Sequence, residues 1–310
     1  MNSNATPYYK QNRLKQLRAF CTTAACGSIS KAAEKLFLSQ PSVSLQIQAL
    51  ERELDTTLFE RRGPSIRLTP EGITLLEISR PLVQGIDSLN ETFTERSGSL
   101  EKGELNIAAG ESTILYILPD ALQKFSQQYP GIRIKLHNVT GRDGMAMLRA
   151  DTADFAIGSM LEVPDDIQYH PIFEFNPVLI TPLEHPLSAL KNITLQDIGP
   201  HGLILPPRHL STWRMVDMVF QQHNINYTVT LEAGGWEVIK KYVSIGLGIS
   251  IVTDICLTGN ENLARIPLDE FFPTRSYGSV IRRGKFLSEA ARQFLIMMDS
   301  SFNFSSPVRT

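Results

Sequence analysis

Between Ser39 and Gln48 the chain sets hydroxyls and amides at a spacing suited to hydrogen bonding with base edges. A glutamine amide can pair bidentately with adenine, and a serine hydroxyl can donate to or accept from several bases. Gln40, Pro41, Ser42, Ser44 and Gln46 are therefore candidates for a DNA groove. Ser30, Lys31, Arg62 and Arg67 are candidates for phosphates, which position a protein on a duplex without reading its sequence. A second group of hydroxyls sits beside expected helix starts: Ser112 and Thr113, Thr140, and Ser211 and Thr212. The free N–H groups and positive dipole end of a helix N-terminus bind anions. Any one of these hydroxyls alone reads as an N-cap; their recurrence in both halves of the chain keeps a small anionic ligand open beside that reading. Arg142 and Arg208 are candidate partners for its carboxylate or sulfate, and Trp236, after Gly234-Gly235, either lines a cleft or packs in a core. Signs of catalysis are lacking. The six histidines show no metal-ligand spacing, Ser250 stands in no nucleophile elbow, and Gly246-Leu247-Gly248 lacks the third glycine of a dinucleotide loop. No enzyme activity, metal or fixed cofactor is expected.

The groove candidates need a rigid mount. Ala32, Ala33 and Leu36 form one small apolar helical face, with Ser30 as the expected N-cap. A turn over residues 37–40 leads to a second helix that is expected to open at Pro41, where a missing N–H costs nothing. Val43, Ile47 and Leu50 recur at i, i+4, i+7 and face inward, leaving the hydroxyls and amides outside. Leu14, Leu17, Phe20, Cys21 and Ala24 form an earlier helix up to Gly27, which closes a three-helix core. Residues 61–68, with Arg61, Arg62 and Arg67, read as a hairpin or wing.

Thr69-Pro70-Glu71 opens a long helix that is expected to reach about residue 97. Leu75, Ser79, Leu82, Ile86, Leu89 and Phe93 alternate by four and three, an apolar seam but for Ser79. Such a seam pairs with another helix, so Leu75, Leu82, Ile86, Leu89 and Phe93 are expected to hold a homodimer. Pro81 is expected to kink or split the helix.

From Gly103 strands and helices alternate, the mark of an α/β domain with a largely parallel sheet. Strands are expected near 105–110, 132–136 and 154–158, then near 177–181, 203–205, 227–231, 246–252 and 277–281, the last returning to the first α/β unit. Two such lobes leave a cleft, the usual place for a small ligand. The expected layout is a tail (1–13), a DNA-binding head (14–68), a dimerising linker helix (69–99) and a ligand-binding body (100–305). Within the body, lobe 1 covers about 103–164 and 272–300, and lobe 2 about 165–271.

The 310 residues, 42% hydrophobic, allow several cores. Net charge is −2, yet residues 1–67 carry ten Lys/Arg against five Asp/Glu, a basic head on an acidic body that fits a polyanion at the N-terminal end. The three cysteines make no disulfide framework, and neither a signal peptide nor a membrane-spanning run is seen, so a cytoplasmic protein is expected.

With these elements in place, the chain resembles the LysR-type transcriptional regulators over nearly its whole length. The resemblance rests on Phe20, Gly27-Ser28-Ile29-Ser30, Ala32-Ala33, Leu36, Ser39-Gln40-Pro41-Ser42-Val43-Ser44, Gln46-Ile47, Leu50-Glu51, Leu58-Phe59-Glu60-Arg61 and Leu68-Thr69-Pro70-Glu71-Gly72. It implies a mixed fold: an N-terminal winged helix–turn–helix, all-α with a small β wing, a long linker helix, and a C-terminal two-lobed α/β domain like periplasmic binding proteins. It further implies promoter DNA as partner, a small-molecule co-inducer, a homodimer assembling into a homotetramer, and RNA polymerase as a partner if the protein activates. Residues 236–248 and 281–287 look like the subgroup that regulates cysteine biosynthesis and sulfur assimilation. Two positions depart from the family pattern: Leu45 stands where many relatives place Arg or Lys, and Asp55 replaces a glycine at the end of the recognition helix. Two alternatives stand beside this reading, a constitutive regulator with a non-functional cleft and a small-molecule enzyme fused to a DNA-binding head.

Overall fold

A computed structural model of the chain describes residues 12–62, 65–87, 89 and 102–302, and only the backbone of Arg61, Arg62 and Ser65. Most of the expected tail and the seam residue Phe93 lie outside the described residues. Contacts divide the chain into two units, Met1–Ser99 with Arg283–Ser288, and Leu100–Arg282 with Glu289–Thr310.

In the first unit, α1 (Arg13–Cys26) ends at Gly27 in the left-handed conformation. Two further helices, α2 (Ile29–Lys35) and α3 (Gln40–Leu54), form the helix–turn–helix. Their caps differ from the expected ones. Ser28, not Ser30, caps α2 by accepting from the Lys31 N–H, because the chain is already helical at Ile29. Ser39 caps α3, which starts one residue before Pro41. Asp55 takes the left-handed role of the missing glycine, with φ 49° and ψ 43°. The core joins Ala19, Ala32, Ala33, Val43 and Ile47 on one side to Phe20, Leu50 and Leu58 on the other. Strands β1 (Phe59–Arg62) and β2 (Ser65–Leu68) form the antiparallel wing. Glu51 anchors it, its carboxylate accepting from the N–H groups of Leu58 and Phe59 at 2.8 and 3.3 Å.

The linker helix α4 (Pro70–Asp87) is capped by Thr69, whose hydroxyl accepts from the Gly72 N–H at 2.9 Å and donates to the Thr57 carbonyl at 2.7 Å. Gly72 lies so near the wing that a Cβ there would sit 2.2 Å from the Leu58 carbonyl oxygen. Pro81 does not split the helix, which runs on to Asp87. The seam also divides. Leu75 packs with Leu76 and Val83 onto α1, and Ser79 is buried, with its hydroxyl 3.3 Å from Cys21 Sγ. Leu82, Ile86 and Leu89 are exposed, and Ile78 joins them. At 100° per residue the apolar arc of α4 is wider than one seam: one flank covers the protein's own core and the other is open.

In the second unit, β3 (Gly103–Ala109), α5 (Glu111–Tyr116), α6 (Leu118–Gln128), β4 (Ile132–Asn138), α7 (Gly141–Arg149) and β5 (Phe155–Gly158) begin the first lobe. β3 runs parallel to β4 and β5. β6 (Ile167–Phe175) and the returning β12 (Arg275–Arg282) are antiparallel, giving the order β4-β3-β5-β12-β6. β6, which is not among the expected strands, contains Pro171 and is the edge strand, where proline is tolerated. The first lobe therefore runs to Phe175 rather than about 164. α11 (Glu289–Met298) closes this core, with Phe294 5.3 Å from Phe125 and 5.8 Å from Phe155 between ring centroids.

The second lobe holds β7 (Pro177–Pro182), α8 (Leu195–Ile198), β8 (Gly202–Leu205), α9 (Ser211–Gln222), β9 (Thr228–Glu232), α10 (Trp236–Ser244), β10 (Ser250–Thr253) and β11 (Leu263–Pro267). Only β8 and β9 pair in parallel, with a bridge from Leu203 to Ile249; β7 lies antiparallel between β10 and β11. The expectation of a largely parallel sheet fails in this lobe, since hydrophobic runs mark strands but not their direction. The chain crosses between lobes after Phe175 and again before Arg275. Asn176 ties the two crossings through its side-chain oxygen, which accepts from the Thr274 hydroxyl at 3.0 Å, and its N–H donates to Asp254, just after β10, at 3.0 Å.

Candidate nucleic-acid interface and ligand site

The outward face of α3 follows from its inner stripe. With Val43, Ile47 and Leu50 buried, the exposed side chains are Gln40, Pro41, Leu45, Gln48, Arg52 and Leu54. Ser42, Ser44 and Gln46 are half-buried flanks. Ser42 is partly engaged, its hydroxyl 2.8 Å from that of Ser39. Gln40 is steadied by Ser30, whose hydroxyl donates to its side-chain oxygen at 3.3 Å. Ser30 thus supports the first residue of α3. Lys31 is exposed on α2, and Arg67 is exposed on β2, paired in register with Glu60. The Arg62 side chain lies outside the described residues. Gln48 and Arg52, exposed on the same helix, are not among the sequence candidates for the groove; continuing the inner stripe by one turn finds both.

Arg67→Ala is expected to weaken DNA binding by a similar factor on every sequence and to reduce the slope of log affinity against log salt by about one. Binding titrations from low to high salt on two unrelated duplexes check this.

The hydroxyls assigned to a ligand have different surroundings. Thr140 is an N-cap: it accepts from the Asp143 N–H and donates to the Asp143 carboxylate at 2.8 Å. Ser112 is half-buried and Thr113 buried in the first turn of α5. Arg142 is exposed at the start of α7, and Arg208 lies over the Trp213 ring, 5.1 Å from its centroid. Trp236 is a core residue, packed with Val178, Ile180, Ile204 and Ile239. Ser211 and Thr212 begin α9, whose N-cap Leu210 offers no side-chain acceptor. Both hydroxyls accept from Arg275, Ser211 from Nη2 and Thr212 from Nη1, each at 2.7 Å. Arg275 is not among the sequence candidates: β12 starts there, two residues before the expected strand at Tyr277.

A second cluster joins the lobes. The Tyr116 hydroxyl at the end of α5 donates to Glu237 in the first turn of α10. Lys240, only 6% exposed, contacts that tyrosine oxygen at 3.4 Å, Glu237 at 2.7 Å, Glu261 at 3.2 Å and the Cys256 carbonyl at 2.7 Å. Burial alone would lower the Lys240 pKa, but Glu237, Glu261 and Tyr116 outweigh it and raise it. Burial likewise pushes Glu261 up, yet the backbone N–H groups around Thr258 and Gly259, with Lys240, hold it well below the usual carboxylate range. No regular spacing in the sequence announces this cluster, which comes from three separated segments.

A carboxylate whose pKa is depressed by folding stabilises the native state above its unfolded value and loses that contribution as pH falls toward its folded one. Urea unfolding of Glu261→Gln is therefore expected to show a clear loss of stability near pH 7, with the gap from the unaltered protein narrowing steadily below about pH 4.5.

Among the described residues no cluster of His, Cys, Asp and Glu could hold a metal ion, and no helix is long and apolar enough to cross a membrane.

Residues 14–73 match the family model of the bacterial regulatory helix-turn-helix protein, lysR family, and residues 98–302 match that of the LysR substrate binding domain. The HTH-type transcriptional activator CmpR of Synechocystis sp. is 32% identical over 289 residues, covering 92% of this chain and 94% of its own. The HTH-type transcriptional regulator CysB of Haemophilus influenzae is 28% identical over 276 residues, covering 86% of this chain and 84% of its own. Among solved structures, the cofactor-binding domain of the Cbl transcriptional regulator aligns at a TM-score of 0.61 and 25% identity, covering 65% of this chain and 90% of that one. A helix–turn–helix head on a two-lobed α/β body defines a DNA-binding transcriptional regulator. This chain belongs to the LysR family of such regulators, and its C-terminal domain is of the kind through which they bind ligands.

Proposed function

We propose that this regulator binds a small anionic metabolite in its C-terminal domain, and that binding changes how its subunits present α3 and the wing to promoter DNA. The observation that carries this reading is the construction of the body: two lobes joined at two crossings, with Asn176 at one bonded to Thr274 at the other. A joint of this kind lets a ligand held by both lobes change their angle, provided that its affinity differs between the two arrangements. At the DNA, Gln40 reads a base edge. Leu45 stands on the outward face of α3, where its methyl groups suit the C5-methyl of thymine rather than a phosphate. Ser44 and Gln46 contribute from the flank, and the wing supplies charge.

The exposed flank of α4 pairs two copies, and two such dimers make a tetramer. If the protein activates, RNA polymerase is its further partner. Residues 236–248 and 281–287 resemble the subgroup that regulates cysteine biosynthesis and sulfur assimilation, and the similarity to CysB supports that reading. We therefore place the ligand in sulfur metabolism. The test is a DNA-bending assay with the full chain on its own promoter fragment, with and without sulfate, phosphate, small carboxylates and sulfur-containing amino acids. A change in bend angle or footprint length with one of them is expected; equal bending with all of them sinks the proposal.

A further inference from the structure

We infer that Arg275, Ser211 and Thr212 form an oxyanion site at the joint between the lobes, and that Arg275 sets the charge of the ligand it takes. This rests on the reading that the C-terminal domain binds a small anion, and it names the residues and the ligand chemistry.

Arg275 opens β12, at the point where the chain returns to the first lobe, and is paired in register with Phe175 at the other crossing. It is 5% exposed. Among the described residues no carboxylate lies within ion-pair distance of it, and its Nε, itself buried, has no hydrogen-bond partner. Its two contacts through Nη1 and Nη2 are to neutral hydroxyls, and the Tyr277 ring lies 5.6 Å from its Cζ. A guanidinium cannot shed its proton, so a buried one without an anionic partner is costly. A bound oxyanion removes that cost.

The surroundings suit one. Arg275 has a free Nε–H and one remaining proton on each terminal nitrogen. The Ser211 and Thr212 hydroxyls accept from the arginine and keep their own protons to donate. Both stand in the first turn of α9, a helix of twelve residues with no side-chain cap, so its N–H groups and positive dipole end add to the same field. Donors of three kinds and one fixed positive charge select a group with several oxygens, a sulfate, phosphate or carboxylate, over chloride or a neutral ligand. Arg275 belongs to the strand that returns to the first lobe and Ser211 and Thr212 to the second lobe. An anion shared among them alters the angle between lobes directly.

The test uses the full chain, titrated with sodium sulfate, sodium phosphate and disodium malonate against sodium chloride at equal ionic strength. Thermal unfolding is one readout, and emission of Trp213, next to Thr212, is the other. At least one oxyanion is expected to raise the Tm saturably, and comparison of the three separates tetrahedral anions from carboxylates. Arg275→Gln should weaken that binding by about tenfold to a hundredfold, the loss of a charge-assisted contact. Ser211→Ala, which keeps the buried charge, should weaken it severalfold and carries the test if Arg275→Gln does not fold. Saturable binding that is unchanged in both variants would overturn this site while leaving the ligand-binding reading intact. Absence of any stabilisation beyond chloride would overturn the site too, and mark Arg275 as a strut between lobes. A bend change with another anion, bound away from Arg275, would then still uphold the broader proposal.

Discussion

Leu82→Glu is expected to break the proposed pairing through α4, leaving a smaller assembly, and to lower the affinity for a two-half-site operator by about a hundredfold, since two linked heads gain that much from effective concentration. The side chain is 58% exposed in the described chain, between Ile78 and Ile86 on the open flank of α4. A glutamate there therefore costs the lone subunit little, but in a helix pair it places two carboxylates in an apolar seam. Sedimentation velocity and DNA titration on single and paired half-sites check the two halves of the claim. An unchanged sedimentation coefficient would show that α4 is covered in some other way. Val83→Glu is the contrasting substitution: Val83 is buried against α1, so the same change there should unfold the head rather than dissociate it.

The second large effect is expected at Gly278. A Cβ at this position would lie 1.9 Å from the His170 carbonyl oxygen and 2.7 Å from the Pro171 Cα. Both are backbone atoms of β6, so no side chain can turn aside. The pairing of β12 with β6 shifts register between Tyr277 and Gly278, and the glycine lets the strands close at that bulge. Gly278→Ala should cost about 3–5 kcal/mol, at the severe end for a single methyl group. That is a large part of the stability of an ordinary domain. Urea unfolding followed by Trp213 and Trp236 emission should show the midpoint fall sharply. Because β12 carries Arg275 at its start, the same substitution should also weaken any anion binding.

How legible the protein was differed between its ends. In the head, local rules were enough. The inner stripe of Val43, Ile47 and Leu50, the arginines of the wing and the Thr69-Pro70 start of α4 each depend on neighbours within a few residues, and all three recur in the structure. Errors there were of one or two positions, as at Ser28 and Gln40, because several residues in each stretch can cap a helix. The body was harder. The starts of α9 and α7 were readable, but not what their hydroxyls touch. Thr140 turns to its own Asp143, whereas Ser211 and Thr212 meet an arginine more than sixty residues away.

The sequence by itself determined the class of protein: the signature from Phe20 to Gly72, the change from helical to strand–helix patterning at Gly103, and the basic head on an acidic body. The signature carries a family resemblance, while the patterning and the charge are properties of periodicity and composition, which survive without knowledge of contacts. Only the tertiary structure decided which flank of α4 stays open, that β7 and its neighbours run antiparallel, and that Arg275 is buried beside two hydroxyls with no carboxylate partner among the described residues. Each of these depends on which distant segment the chain brings alongside. Strand direction and the partner of a buried charge leave no local trace in the order of residues, because they are set by the packing of segments far apart in the chain.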